Sequence, residues 1–538
     1  MAPALLTFLA LSLAAAPSRP PRLTLFITVD ALGTDLLLRS RPHLHKGIAS
    51  LLNQGAFFPN ARYQQAENVT AAGHATLSTG ASPWRHGIVG NRIINRATNR
   101  LEPVFADASH PVLDAPLTVE DVSPDRLMAE TLSDRLRLFT QQRGKAVAIA
   151  SKARAAIAQG GRLGQAFWFN ETMGRFVTGT YYAKFVPSWV QAFNERKLPD
   201  SYFSKDWTLL LPKSEYLGED DRPFESNAFG LGRTFPHPLT GMRTAPGLES
   251  REALNVTPMM NEVLVEFAKA ALDAEQLGRR DAPDLLWVSF SPVDRTYHLF
   301  GPYSWEMQDM LVRLDQSIAE LLQAAERAAG GRSNLLVVLT ADHGGAAIPE
   351  EWAAAGLQAT RVHPNSLRDG LNKELKARFG VELVVGVEET DLYLNTKVIN
   401  DRHLDGLAIR RAAAQWLSGQ PSVAYAVAKD DLAAPLELGG YGQALRMGYY
   451  PERSGDVLFI LKAFNVMTDE DTGTSHAQPY SYDNQVPLVF MGKGVKPGLY
   501  REEVHPVDVA PTLASLLQMG FPAQAEGKPL TQMMTTDR

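Results

Sequence analysis

The chain contains no cysteine. Disulfides, iron–sulfur clusters, thiolate metal sites and cysteine nucleophiles are therefore excluded. Any metal must be held by His, Asp, Glu or hydroxyl groups. A basic excess is missing too: 53 Lys and Arg stand against 59 Asp and Glu, for a net charge of −6. That balance argues against a nucleic-acid partner. Past the N-terminus no apolar run reaches transmembrane length, so no stable membrane span is expected. What is present is an ordinary globular mixture: 538 residues, 45% hydrophobic and 21% charged, enough to bury a sizeable core.

The first residues read MAPALLTFLALSLAAAPSRP. Ala4 to Ala16 is uncharged and apolar, and Ala14-Ala15-Ala16 offers the small residues a signal peptidase prefers. Residues 1–16 are thus expected to be a cleaved signal peptide, and the protein periplasmic or secreted. A cysteine-free exported protein suits a bacterial periplasm. The segment has no Lys or Arg and Pro17 follows the cut, so a tethered N-terminus is the other reading.

Beyond Pro20, strand-like and helix-like segments alternate. Thr24–Val29, Ala146–Ala150, Leu285–Phe290, Leu335–Thr340 and Val486–Met491 read as buried parallel strands. Helical patterns cover Leu44–Gln54, Arg126–Leu138, Met259–Leu272, Trp305–Ala329 and Ala510–Gln518. The alternation predicts an α/β fold whose mostly parallel sheet carries helices on both faces. Two stretches break the rhythm, at about 166–257 and 350–471. The second holds its own strands (Val381–Val387, Asp391–Leu394, Val423–Val427, Asp456–Leu461) and a helix near Leu407–Gln415, and reads as a small α/β insertion. No linker suggests separate tethered domains.

The core strands run into polar groups. Asp30 follows the first; Lys152 and Arg154 follow Ala146–Ala150; Asp294 and His298 follow Leu285–Phe290; Asp342 and His343 follow Leu335–Thr340. Open α/β sheets bind ligands at the carboxyl ends of their strands. With His476, these make three Asp and three His, enough for two metal ions with three ligands each and an open position. Such N/O donors suit Zn²⁺, with Mn²⁺, Fe or Co next. Singly, each has an ordinary reading: Asp294 as a cap on the helix near Trp305, His298 as a satisfied histidine. Asp342-His343-Gly344-Gly345 straight after an apolar strand is the more specific signal.

Thr70 opens a small-residue helical start, AAGHATLST. A hydroxyl there faces free N–H groups and the positive end of the helix dipole, a setting that binds phosphate and favours an alkoxide. Its other reading is a plain N-cap. His74 and His86 read as structural.

Together these residues resemble the alkaline phosphatase superfamily. TVDALGTDLL, NVTAAGHATLSTGASPWRHGIVGN, SPVDRTYHLFGP, TADHGG and GTSHAQPYSYDNQVPLVFMG occur in the order that family shows, across about 24–512. The likeness is nearest to the phosphate-irrepressible periplasmic alkaline phosphatases, cousins of the nucleotide pyrophosphatase/phosphodiesterases. It implies a three-layer alkaline-phosphatase-like sandwich forming a single catalytic domain over 22–538, with the two insertions above. It implies two Zn²⁺ per chain, one on Asp294, His298 and His476 and the other on Asp30, Asp342 and His343. Thr70 matches the nucleophile, placed between substrate phosphorus and metal. Asn91 matches a donor to a phosphoryl oxygen. Lys152 and Arg154 match the Lys-x-Arg pair of the monoesterases, which contacts phosphoryl oxygens away from the metals; the segment 166–182 resembles that subgroup's insertion. The implied reaction is hydrolysis of small phosphate monoesters through a phosphothreonine.

The pair decides between substrate classes. A monoester dianion spreads its charge over three oxygens and calls for a second cationic patch, whereas a diester does not. Taken alone, Lys152 and Arg154 read equally well as a solvated helix start. The alternative activity is that of a nucleotide pyrophosphatase/phosphodiesterase.

Overall fold

The strand Leu23–Val29 is buried at every residue and lies near the middle of a nine-stranded sheet. Its neighbours are Asp284–Phe290 on one side and Leu335–Thr340 on the other, both parallel to it. Ala146–Ala150 and Gln165–Asn170 continue the parallel run, and Arg175–Val177 closes that edge antiparallel. On the other flank come Gln485–Gly492, Ala56–Arg62 and Gly498–Leu499. The computed structural model describes residues 19–116, 119–239, 247–432 and 440–535. The expected signal segment, 1–16, lies outside them.

Helices cover both faces. Gly47–Gln54, Pro258–Ala274 and Trp305–Ala329 pack on one, and Thr70–Thr79, Leu132–Phe139, Ala153–Gly160 and Val509–Leu516 on the other. The long helix carries a buried carboxylate, Asp315, that accepts backbone N–H groups of His45, Lys46, Ile48 and Ala49 at 2.6–3.3 Å. One side chain thus satisfies the free donors that open the Gly47–Gln54 helix.

Several expectations change. Gln485–Gly492 runs antiparallel to both its neighbours. A strand buried on both faces shows the same apolar run in either direction, so the sequence pattern carried no sign of it. The helix expected over Arg126–Leu138 begins only at Leu132, where Thr131 and Asp134 form a capping box. Stretch 166–257 opens with two strands of the central sheet rather than with inserted structure. Asp294 does not cap the Trp305 helix; Ser304 does, its hydroxyl accepting from Met307 N at 3.0 Å.

Within 350–471 a four-stranded sheet orders Val384–Glu388, Asp391–Leu394, Val457–Leu461 and Val423–Ala428. The helices Pro364–Phe379 and Gly406–Ser418 pack on it around a hydrophobic cluster of its own. Asp456 ties this unit to the hairpin after Asn91: its buried carboxylate accepts from Lys429 Nζ, at 2.7 Å, and from Arg96 of that hairpin, at 2.6 Å.

Candidate active site

Four parallel strands end at one edge of the sheet, and each delivers the side chains expected of it. Asp30 leaves Leu23–Val29 directly. Asp342 and His343 follow Leu335–Thr340. Asp294 and His298 sit one helical turn apart on Pro292–Phe300, so they share a face. His476 comes from the loop before Gln485–Gly492, whose reversed direction puts its beginning, not its end, at this edge.

These groups converge. Asp294 Oδ1 lies 3.3 Å from His298 Nε2 and 3.6 Å from His476 Nε2. His343 Nε2 lies 3.3 Å from Asp30 Oδ1 and 3.4 Å from Asp342 Oδ2. The rings of His343 and His476 stack at 3.8 Å. Two sets place their donor atoms mutually within 4.8 Å: Asp294, His298 and His476, and Asp30, Asp294 and His343. Asp294 stands between the two sets.

The three histidines are held alike. Each donates its Nδ1–H to a backbone carbonyl: His298 to Thr474 at 2.9 Å, His343 to Gly344 at 2.8 Å and His476 to Asn68 at 2.8 Å. That fixes the tautomer and turns every Nε2 toward the carboxylates. Asp30 Oδ1, Asp294 Oδ1, Asp342 Oδ2 and His343 Nε2 are buried without a hydrogen-bond partner. Buried polar atoms are normally satisfied, and oxygen and imidazole donors turned inward in this way fit divalent metal ions. Burial is the largest influence on Asp30 and raises its pKa, but Lys152 and His343 together overcome it and hold the carboxyl well below its ordinary range. Burial is likewise overcome at Asp294, chiefly by His298 and Lys152. Both carboxylates are anionic and ready to bind a cation.

Thr70 is the first residue of the Thr70–Thr79 helix, while Val69 holds the N-cap position without a side-chain cap. The plain N-cap reading is therefore excluded: the hydroxyl is not spent on the helix. Ala71 N donates instead to Asn91 Oδ1 at 2.9 Å. This holds the Asn91 oxygen and leaves its amide N–H groups to donate elsewhere.

The resemblance places Lys152 on the side of the phosphoryl group away from the metals; in the structure its ammonium sits among the candidate ligands. Its Nζ lies 2.8 Å from Asp30 Oδ2, 2.5 Å from Asp294 Oδ2 and 3.3 Å from Thr70 Oγ1. Two buried carboxylates demand a counter-charge, and this ammonium supplies it. Arg154, in the first turn of Ala153–Gly160, is half-buried with its Nε unpartnered, within electrostatic reach of Asp30, Asp294 and Asp342.

His74 and His86 are buried, as expected of structural residues. His74 donates Nδ1–H to Thr70 O at 2.8 Å and also touches Asp342 Oδ2 at 3.1 Å, so it braces the Thr70 turn against a candidate ligand. His86 Nδ1 accepts from Ile88 N, and burial pushes its pKa down to about 3. The residues that sequence reasoning missed are those whose carbonyls accept from the three imidazoles, Asn68, Gly344 and Thr474. They act through the backbone, which leaves no side-chain signal.

Residues 24–483 match the family described as type I phosphodiesterase / nucleotide pyrophosphatase. Alkaline phosphatase PafA of Elizabethkingia meningoseptica is 32% identical, covering 96% of this chain and 94% of that one. Alkaline phosphatase PhoV of Synechococcus elongatus is 30% identical, covering 96% and 93%. The crystal structure of PafA superposes with a TM-score of 0.90 at 31% identity, over 97% of this chain and all of that one. Murine ectonucleotide pyrophosphatase/phosphodiesterase 5 shares the fold at a TM-score of 0.54 and 12% identity, over 96% of this chain.

Proposed function

The chain belongs to the type I phosphodiesterase / nucleotide pyrophosphatase family, within the alkaline phosphatase superfamily, and from that premise we propose that it is an exported alkaline phosphatase, a phosphomonoesterase working through a phosphothreonine at a two-metal site. The observation that carries this reading is the pair Lys152 and Arg154 beside Thr70 and the Asp/His cluster. Near full-length likeness to proteins named alkaline phosphatases supports it.

In this reading Asp294, His298 and His476 would hold one Zn²⁺, and Asp30, Asp342 and His343 would hold the other beside the Thr70 hydroxyl. Bound there, the ions would acidify that hydroxyl and offset charge on the phosphoryl and leaving-group oxygens. Thr70 Oγ1 attacks phosphorus in line; the new P–O bond forms as the ester P–O bond breaks, and the alcohol departs. Water then displaces the threonine oxygen and releases inorganic phosphate. The helix start beneath Thr70 presents a positive dipole end to the incoming phosphate. Asn91, its oxygen held by Ala71, donates to a non-bridging oxygen. Lys152 and Arg154 contact the remaining non-bridging oxygens and offset the second negative charge that a monoester carries and a diester lacks.

The phosphodiesterase reading is favoured by the family description alone. The deciding experiment compares kcat/KM for p-nitrophenyl phosphate and bis-p-nitrophenyl phosphate at alkaline pH, with zinc and then with chelator. A large monoester preference that chelator abolishes is expected. A diester preference would move the protein to the other branch and leave Lys152 and Arg154 without a substrate role.

A further inference from the structure

A cavity of about 420 Å³ opens beside His298. His298 and His476 approach Asp294 through Oδ1, whereas Lys152 holds its Oδ2. The cavity therefore begins on the face of the cluster that the cationic pair does not occupy. Its wall carries four carboxylates: Glu388 at the end of the strand Val384–Glu388, Glu389 in the turn after it, and Asp469 and Glu470 from the segment leading back to His476. Phe229, Leu299 and Met467 supply an apolar and aromatic surface between them. No lysine or arginine is among the residues that line it. Arg92, on the neighbouring hairpin, offsets Glu388 in part.

Such a wall repels an anion and attracts a cation. A metal ion is the poorer match. Among the described residues, the only Asp, Glu and His groups close enough together to hold a metal are the two at the catalytic cluster. Carboxylates spread around an aromatic ring and aliphatic side chains suit a larger, diffuse cation. An ammonium gains from the carboxylates and from the ring face, and its methyl or methylene groups gain from the apolar floor.

We propose that this cavity receives the leaving group and selects phosphate monoesters of amino alcohols, whose leaving group carries a primary to quaternary ammonium. The inference rests on the phosphomonoesterase reading and names its substrate class. The phosphoryl dianion faces Lys152 and Arg154 while the ammonium faces Glu388, Glu389, Asp469 and Glu470. A zwitterionic substrate is thus oriented by both ends. A leaving group bearing a carboxylate meets the exposed Asp469 and Glu470, joined at alkaline pH by Glu388 and by Glu389, whose pKa burial pushes up to about 8.

The test compares kcat/KM for phosphocholine with that for 3,3-dimethylbutyl phosphate, its uncharged carbon isostere, using the zinc-loaded full chain. The two alcohols differ in acidity, so the quantity read is the change in the ratio on substitution. The double substitution Glu388→Gln/Glu389→Gln lowers the ratio about fivefold, mainly through KM. Asp469→Asn/Glu470→Gln lies on the exposed rim, where folding is not at risk, and lowers it about twofold. Added salt lowers the ratio in the parent protein. A ratio unmoved by both pairs overturns the inference, as does a faster reaction with 3-phosphoglycerate than with phosphocholine. Phosphate release from p-nitrophenyl phosphate is followed in parallel. Its absence in the parent protein would overturn the phosphomonoesterase reading; its presence with an unmoved ratio overturns only the cation preference.

Discussion

An imidazole offers a metal only the nitrogen that its other hydrogen bond leaves free. His298, His343 and His476 each spend Nδ1–H on a backbone carbonyl, so the binding atom is settled before any ion arrives. Thr70 is free in the same sense, because no helix cap consumes its hydroxyl. Thr70→Ala is expected to lower kcat at least about 10³-fold while metal content, measured by elemental analysis, stays at the parent level. Lys152→Ala and Arg154→Ala are expected to lower kcat/KM for monoesters by about 10²-fold, and for diesters by much less. Equal losses on both substrates would remove the pair from substrate recognition. Lys152 has a second duty, since it neutralises Asp30 and Asp294. Its replacement is also expected to lower the Tm of the chelator-treated protein, an effect Arg154→Ala should not share because Arg154 touches neither carboxylate.

Between elements, the site depends on how closely the Thr70 helix approaches the end of Leu335–Thr340. A Cβ on Gly73 would lie 2.1 Å from the carbonyl oxygen of Asp342, a backbone atom that cannot swing aside. Gly73→Ala must therefore push the Thr70 helix away from a candidate ligand. The expected result is a lower Tm together with less bound metal, read by calorimetry and elemental analysis. Gly440→Ala, where a Cβ meets nothing within 4 Å among the described residues, should change neither. The elements most legible in the sequence were those with a one-sided chemical logic. Trp305–Ala329, Leu335–Thr340 and Ala146–Ala150 have the boundaries their patterns predict. The polar residues after the core strands do meet at one edge, because parallel strands must end together. Strand direction was not legible for Gln485–Gly492, since burial on both faces erases it. Pro364–Phe379 also escaped notice: only Leu367, Leu371 and Leu375 are buried, four residues apart among charged neighbours. That spacing was the available signal. The position of Lys152 was beyond reach, because it depends on three residues from three distant segments.

The whole molecule couples stability to pH through buried groups outside the candidate ligand set. Glu225 is buried with both carboxylate oxygens unpartnered, and burial, with Glu306 nearby, pushes its pKa up to about 10. The folded chain keeps this proton where an unfolded chain, with an ordinary carboxyl near 4.5, has lost it. Its contribution is thus full below about pH 4.5 and declines as pH rises toward 10. His86 acts at the other end. It stays neutral when folded, so its contribution is present above about 6.5 and is lost as pH falls toward 3. Glu225→Gln, which mimics the protonated form, is expected to raise Tm by about 3 °C at pH 9 and hardly at all at pH 4. A gain of the same size at both pH values would mean that Glu225 is not the titrating group. The reversed strand Gln485–Gly492 has a consequence of another kind. His476 precedes it and lies more than a hundred residues beyond His343, so it is the last of the six candidate ligands to be synthesised. It reaches the cluster only when this strand has slotted between Leu335–Thr340 and Ala56–Arg62. A nascent or prematurely stopped chain can present Asp30, Thr70 and Lys152 but not a finished centre. Completion of the Asp294, His298 and His476 set therefore waits on translation through Gln485–Gly492.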